Sequence, residues 1–193
     1  MEKTAIFGGS FNPVHNAHIK IATVAMEKTG LDRVIFVPAN IQPFKQEDTA
    51  IKSEDRYNML CLATAHDKRF TVSDFEIKNG GISYSYITAE HFKNAYPDSK
   101  LYFILGDDSY NSVDRWMEAD RLKKCVQFIV FPRIGLDKKD ENTIYIDMPL
   151  YDISSTGVRY ALANGEDVSD MINPAVLDYI EKHDLYKYAD KGR

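Results

Sequence analysis

Short apolar runs alternate with longer amphipathic stretches along this chain, and polar turns separate them. Thr4 to Phe7 has the character of a buried strand, and Gly8 and Gly9 after it are expected to turn the backbone sharply. From Ala17 to Thr29, Ile19, Ala22, Thr23 and Met26 fall on one helical stripe, with Gly30 placed as the stop. Arg33 to Val37 predicts the second strand. Pro38 to Lys52 is a polar loop, long for a connection and therefore a candidate for function. Ser53 is placed to cap the next helix, with Glu54 and Asp55 suited to its positive end and Tyr57, Leu60, Cys61 and Ala65 on its inner face. Phe70 to Ile77 predicts a strand whose alternation slips at a bulge near Ser73–Asp74.

Asn79-Gly80-Gly81 turns the chain into a helix that opens at Ser83 or Ser85 and runs to Tyr96. Leu101 to Leu105 predicts a fourth strand, ending in Gly106-Asp107-Asp108, with a broken helical region following to Lys124. Val126 to Phe131 is the fifth strand and Thr143 to Ile146 a last short one, with a charged loop between them. Thr156 to Ala163 and Pro174 to His183 close the chain as helices, the second with Asn173 as its cap.

Repeated βα units of this length predict an α/β fold: a doubly wound, mostly parallel, Rossmann-like sheet. Residues 1–193 are expected to form a single domain, with 154–193 as a small C-terminal helical part. In such sheets ligands bind at the carboxyl ends of the strands. The polar loops after Phe7, Val37, Leu105 and Phe131 all leave from that edge.

Composition narrows the class. Hydrophobic residues are 44% and charged ones 27%, ordinary for a soluble globular protein. No apolar run reaches bilayer length and no signal-peptide pattern follows Met1, so a cytoplasmic protein that engages no membrane is expected. Cys61 and Cys125 stand far apart with no metal-like spacing. A net charge of −5 argues against nucleic acid as the main partner, so an anionic ligand must be met by local features.

Ile6-Phe-Gly-Gly-Ser-Phe-Asn-Pro-Val-His-Asn-Ala-His18 supplies such features. A glycine turn, backbone N–H groups and a helix N-terminus together favour phosphate. His15 and His18, at i and i+3, share a face of the first helical turn and would point at it. No Gly-Lys-Ser/Thr follows the glycines, so this is not a Walker loop, and the three-glycine dinucleotide fingerprint is absent. Two other readings stand: a plain βα turn with surface histidines, and half of a zinc site lacking an obvious third ligand. The second candidate is Ile153-Ser-Ser-Thr-Gly-Val-Arg159. A hydroxyl residue caps the helix start, and Arg159, one turn on, can grip phosphate oxygens in a fork. By itself this stretch reads as an N-cap beside an exposed arginine.

Gly9, Phe11, Pro13, His15 and His18 resemble the Gly-x-Phe-x-Pro-x-His-x-Gly-His signature of the nucleotidyltransferase superfamily. The C-terminal stretch resembles its Ile-Ser-Ser/Thr-Thr-x-x-Arg signature. Val37 to Lys45, Ser83-Tyr84-Ser85, Gly106 to Ser109, Trp116 and the tail from Asn164 to Tyr186 are similar, in order, to the bacterial nicotinate-nucleotide adenylyltransferase family. The resemblance implies a Rossmann-like fold and a reaction of ATP, carrying Mg2+, with nicotinate mononucleotide to give deamido-NAD and pyrophosphate. The expected partners are therefore ATP and a pyridine mononucleotide; a homo-oligomer is compatible with the sequence and not decided by it.

Adenylyl transfer needs no serine or cysteine nucleophile, because the acceptor phosphate is itself the nucleophile. What it needs is alignment and fixed donors on the α-phosphate. His18 is the first choice for that donor, His15 binds phosphate nearby, and Lys45 on the long loop neutralises developing charge. Ser155 and Arg159 would hold the β,γ-phosphates. The resemblance adds Gly8, Gly9, Ser10, Phe11, Gly106, Asp108, Arg133 and Thr156 to the ATP side. It places Asn40, Ser85 and Trp116 on the acceptor side, with Trp116 stacking on the pyridine ring and the neighbourhood of Ser85 presenting N–H groups to the nicotinate carboxylate. Trp116 can equally be a core aromatic, and Asp108 a helix cap. No protein metal site is expected, and His66, His91 and His183 are read as solvated.

Several positions depart from the family pattern: Asn12 for aspartate, Ala17 for the glycine between the histidines, Phe44 for histidine, Ile134 for proline and Met117 for tyrosine. Nicotinamide mononucleotide, which differs from the acid by one small group, or another phosphorylated acceptor stands as an alternative substrate; phosphopantetheine adenylyltransferases share the end motifs but are usually shorter and do not explain the Trp116 region. A nucleotide-binding regulator without catalysis is the alternative of a different class.

Overall fold

A computed structural model of the chain describes residues 1–43, 51–132, 136, 140–149 and 152–187. Six strands form one sheet: β1 (Lys3–Gly9), β2 (Arg33–Pro38), β3 (Phe70–Val72), β4 (Lys100–Gly106), β5 (Gln127–Phe131) and β6 (Ile144–Tyr145). Their order is β3-β2-β1-β4-β5-β6 and every pairing is parallel. The expected mostly parallel, doubly wound sheet is thus wholly parallel among the described strands. The order reverses between β1 and β4, which opens a crevice at their carboxyl ends.

Alternate residues of each strand face opposite layers. On one face Ala5, Phe7, Val34, Phe36, Tyr102, Ile104 and Ile129 share a core with α1 (Asn16–Thr29), α2 (Ser53–Thr64), α7 (Ser155–Ala163) and α8 (Pro174–Lys182). On the other, Ile6, Ile35, Val37, Phe103, Leu105, Phe128 and Val130 pack with α4 (Ser85–Ala95), α5 (Asp107–Ser112) and α6 (Ala119–Cys125). No helix among the described residues is long and apolar enough to cross a membrane.

The helix signals fared well where side-chain chemistry is local. Gly30 is the left-handed C-cap of α1, and Asn173 accepts the Ala175 N–H at 2.9 Å at the start of α8. Five expectations need correction. Gly8 and Gly9 do not turn the chain; they continue β1, in register with Val37 and Pro38, and the left-handed residue is Phe11 at φ 48. On α1 the buried stripe is Ala17, Ala22, Val24, Ala25 and Met26, with Ile19 and Thr23 only half-buried.

Ser53 is the first residue of α2, not its cap; Lys52 holds that position. The inner face of α2 is Arg56, Met59, Leu60, Ala63 and Thr64, a regular i, i+3, i+4, i+7, i+8 stripe that two polar residues hid. Finally, Phe75 to Ile77 is not strand but the start of α3 (Phe75–Asn79). β3 stops although β2 runs on to Pro38: Ser73 makes the last main-chain bond, to Phe36, Pro38 has no N–H to continue the ladder, and the Ser73 hydroxyl accepts the Phe75 N–H.

Candidate active site

The turn after β1 lies at the open end of the crevice. Phe11 is buried in its left-handed conformation, and the Asn12–Pro13 bond is cis. A Cβ on Gly9 would sit 3.1 Å from the Phe11 ring, so the buried aromatic would have to give way by a few tenths of an ångström. Phe11 in turn meets the His18 ring edge-on, centroids 5.0 Å apart.

His15 is the N-cap of α1 and His18 its third residue. Their rings lie 3.7 Å apart, and His15 is buried. The expectation that they share one face therefore holds, although His15 precedes the helix instead of lying in its first turn. The His15 N–H donates to His18 Nδ1 at 3.2 Å, so the neutral His18 ring carries its proton on Nε2. The main-chain donors of this helix start are more occupied than expected. The Asn16 N–H goes to Met171 O at 2.8 Å and the His18 N–H to His15 O at 2.9 Å. Anion binding at this end must rest mainly on the imidazoles.

The C-terminal motif docks directly on this turn. Arg159 Nη1 donates to Asn12 O at 2.8 Å, and the Ser155 hydroxyl donates to Pro13 O at 3.0 Å. Ser154, the true N-cap of α7, accepts the Gly157 N–H at 3.1 Å. The N–H groups of Ser155 and Thr156 have no acceptor among the described residues. Thr156 is exposed, with its hydroxyl 3.5 Å from Arg159 Nη2. Two helix starts that lie far apart in the chain thus form one polar corner, with imidazole, guanidinium and main-chain donors.

Gly106 caps α5 at the carboxyl end of β4. The cap-like carboxylate is Asp107, which is buried and accepts the Asp108 N–H at 3.0 Å; Asp108 itself is exposed. Asn40, at the end of β2, gives its main-chain N–H to the Ser83 hydroxyl and its side-chain amide to Gly81 O, both at 2.9 Å. This ties it to the turn before Ser85, the first residue of α4. Half-buried Trp116 donates to the Ser112 hydroxyl at 3.2 Å and packs, with Tyr86 of α4, against the second core layer. Lys45 and Arg133, and the departures Phe44 and Ile134, lie outside the described residues.

Three contributors escaped the sequence. Arg56, buried on α2, donates to Ser10 O at 2.7 Å and Asn40 O at 3.2 Å. Glu76 of α3 accepts the Thr88 hydroxyl; burial pushes its carboxyl up from the ordinary range, against the pull of the Thr88 and Ser83 hydroxyls and of Arg56. Tyr186 reaches back to Asn12 Oδ1 at 2.6 Å. A charged residue inside an otherwise apolar helical stripe was the available sign for Arg56; nothing local marks the other two.

A cytidylyltransferase-like family model matches residues 6–161, a span that takes in both docked motifs. A probable nicotinate-nucleotide adenylyltransferase of Clostridium tetani is 36% identical over 97% of this chain and 100% of its own length. Its counterpart in Clostridium acetobutylicum is 38% identical over 96% and 100%. The chain belongs to the nicotinate-nucleotide adenylyltransferase family. Its fold is that of the Plasmodium falciparum nicotinic acid mononucleotide adenylyltransferase solved with NaAD, at a TM-score of 0.79 and 24% identity over 97% and 98% of the two chains. The same Plasmodium protein complexed with APC gives a TM-score of 0.77 at 23% identity. Membership of the nicotinate-nucleotide adenylyltransferase family therefore covers the chain nearly end to end.

Proposed function

We propose that the chain transfers the adenylyl group of ATP to nicotinate mononucleotide. An oxygen of the acceptor's phosphate attacks the α-phosphorus, the bond to the α,β-bridging oxygen breaks, and pyrophosphate leaves, giving deamido-NAD. ATP enters with its Mg2+ as substrate.

One observation carries this reading: Arg159 and Ser155 lock onto Asn12 and Pro13, beside the His15–His18 pair. One triphosphate laid across that corner would meet His18 Nε2–H at the α-phosphate, His15 beside it, and the Ser155 and Thr156 N–H groups with the outer Arg159 N–H groups at the β,γ-phosphates. Because Arg159 Nη1 and the Ser155 hydroxyl face the main-chain carbonyls of Asn12 and Pro13, their first effect is to hold the turn ahead of His15 in place. Gly106 and Asp108 flank the nucleotide from β4, and Asn40, Ser85 and Trp116 form the acceptor side. Lys45 and Arg133 are assigned by family resemblance, to developing charge and to adenosine. A cytoplasmic location suits an enzyme supplied with ATP.

The test mixes purified protein, Mg·ATP and nicotinate mononucleotide and follows pyrophosphate. Release with a kcat/KM above that for nicotinamide mononucleotide supports the reading. Tight ATP binding without turnover on either mononucleotide overturns it in favour of a regulator.

A further inference from the structure

A buried guanidinium is tolerated only where its N–H groups are used. Arg56 is 6% exposed, and the two carbonyls it bridges belong to opposite sides of the site: Ser10 in the phosphate turn and Asn40 at the end of β2. From Asn40 the connection continues. Its N–H meets the Ser83 hydroxyl, and the Ser83 N–H returns to Ile41 O at 2.9 Å, where Ile41 and Ile82 form a parallel bridge. Glu76 takes the hydroxyl of Thr88, and the neighbouring Ser83 hydroxyl favours its charged form. Ser83 lies just before the first residue of α4 and Thr88 one turn inside it. The Glu76 carboxyl therefore anchors the first turn of that helix through Thr88, beside the bonded path Ser10–Arg56–Asn40–Ser83.

We propose that Arg56 and Glu76 are positioning residues for the acceptor substrate, fixing the start of α4 relative to the phosphate turn. The proposal rests on adenylyl transfer as the function. An acceptor held by its pyridine end near Ser85 must deliver its phosphate in line with the α-phosphorus, so the separation of these two segments sets the attack distance. Displacement by a fraction of an ångström is felt in rate. Arg56 controls the separation, because one planar fork spans both carbonyls; a lysine ammonium cannot reproduce that geometry. Glu76 controls the orientation of the helix start, and so acts on acceptor binding while leaving ATP to the other half of the site.

The experiment measures KM for each substrate, kcat, thermal midpoint and amide exchange of residues 81–85 in the wild type and four variants. Glu76→Ala is expected to raise the acceptor KM roughly tenfold, with the ATP KM within about twofold and faster exchange at 81–85. Glu76→Gln, which keeps the acceptor oxygen for Thr88, should restore the acceptor KM to within about threefold. Thr88→Val, isosteric with the native residue, should move it in the same direction as Glu76→Ala, by about threefold, should the alanine variant not fold. Arg56→Lys should lower kcat on the order of tenfold at saturation with both substrates. Unchanged acceptor KM in Thr88→Val, and in Glu76→Ala where it folds, together with unchanged kcat in Arg56→Lys, whatever the thermal midpoints, overturns the positioning role. A wild type silent with both mononucleotides overturns the functional reading instead, and exchange at 81–85 still reports whether the anchor exists.

Discussion

Arg159 donates to the main-chain carbonyl of Asn12 at 2.8 Å, joining residues 147 positions apart. Asn12 is also held from the other side, since its side-chain oxygen accepts the Tyr186 hydroxyl at 2.6 Å. The turn before His15 is thus clamped between α7 and the C-terminal segment. A fixed turn means fixed imidazoles, and donors that need no reorganisation are the most effective on a transferring phosphoryl group.

Arg159→Lys tests that clamp. Lysine keeps the charge but cannot bridge Asn12 and Thr156 with a rigid fork. The expected result is a loss of roughly 10- to 100-fold in kcat/KM for ATP, with a loss of about 1 kcal/mol in urea unfolding. Equal kcat/KM in the two proteins would remove Arg159 from the nucleotide site.

His18→Ala removes the donor proposed for the α-phosphate. By comparison with loss of one donor from a preorganised anion site, kcat should fall roughly 10²- to 10³-fold. Ground-state binding is spread over both helix starts, so ATP affinity by calorimetry should change little. A large loss of affinity with an unaltered kcat would make His18 a binding group only.

Tyr186→Phe isolates the other arm of the clamp. It leaves the buried Asn12 oxygen without that hydroxyl, and unfolding free energy should fall by about 1–3 kcal/mol. The chemistry should survive in what folds, because Tyr186 touches the turn and not the imidazoles. Urea titration and a saturating-substrate assay check the two halves.

What the sequence made legible here was local. The caps at Asn173 and Gly30 rest on residues adjacent to the helices they bound, and the parallel sheet follows from repeated βα units. The two phosphate-corner motifs were visible because their chemistry is concentrated in a few consecutive residues. The hidden features are those in which a polar side chain serves a distant partner. Arg56 was passed over because a charged residue in a helix is read as solvent-facing, and counting it outside the stripe shifted the whole predicted face. Phe75-Glu76-Ile77 has strand-like composition but forms helix, because the ladder with β2 breaks at Pro38, which has no N–H to offer, and the Ser73 hydroxyl takes the Phe75 N–H instead. Tyr186 and Asn12 are 174 residues apart, beyond the reach of any local pattern.

Gly9→Ala asks whether glycine serves the aromatic under His18. The new Cβ would lie 3.1 Å from the Phe11 ring, which is buried and held in a left-handed conformation and so has little room to yield. Overpacking of this kind costs roughly 1–3 kcal/mol. Because Phe11 supports the His18 ring, kcat should fall together with the melting temperature. The contrasting control is Gly165→Ala: its Cβ meets nothing within 4 Å, so any cost there comes from the left-handed backbone alone and kcat should hold.

Glu76 gives the fold a pH dependence whose sign is set by its environment. Desolvation raises its carboxyl pKa in the folded state above the ordinary value of 4.5, with the Thr88 and Ser83 hydroxyls and Arg56 opposing the rise. A raised acid binds its proton more tightly when folded, so its stabilising contribution is complete below the ordinary glutamate value and is lost as pH climbs through the folded one. Above that folded value ionised Glu76 weighs against the folded state, and Glu76→Gln removes that burden while keeping an acceptor for Thr88. The urea midpoint of Glu76→Gln relative to wild type should therefore rise as pH is taken from acid to neutral. A difference that is flat or shrinks over that range would show that hydrogen bonding, and not desolvation, governs the carboxylate.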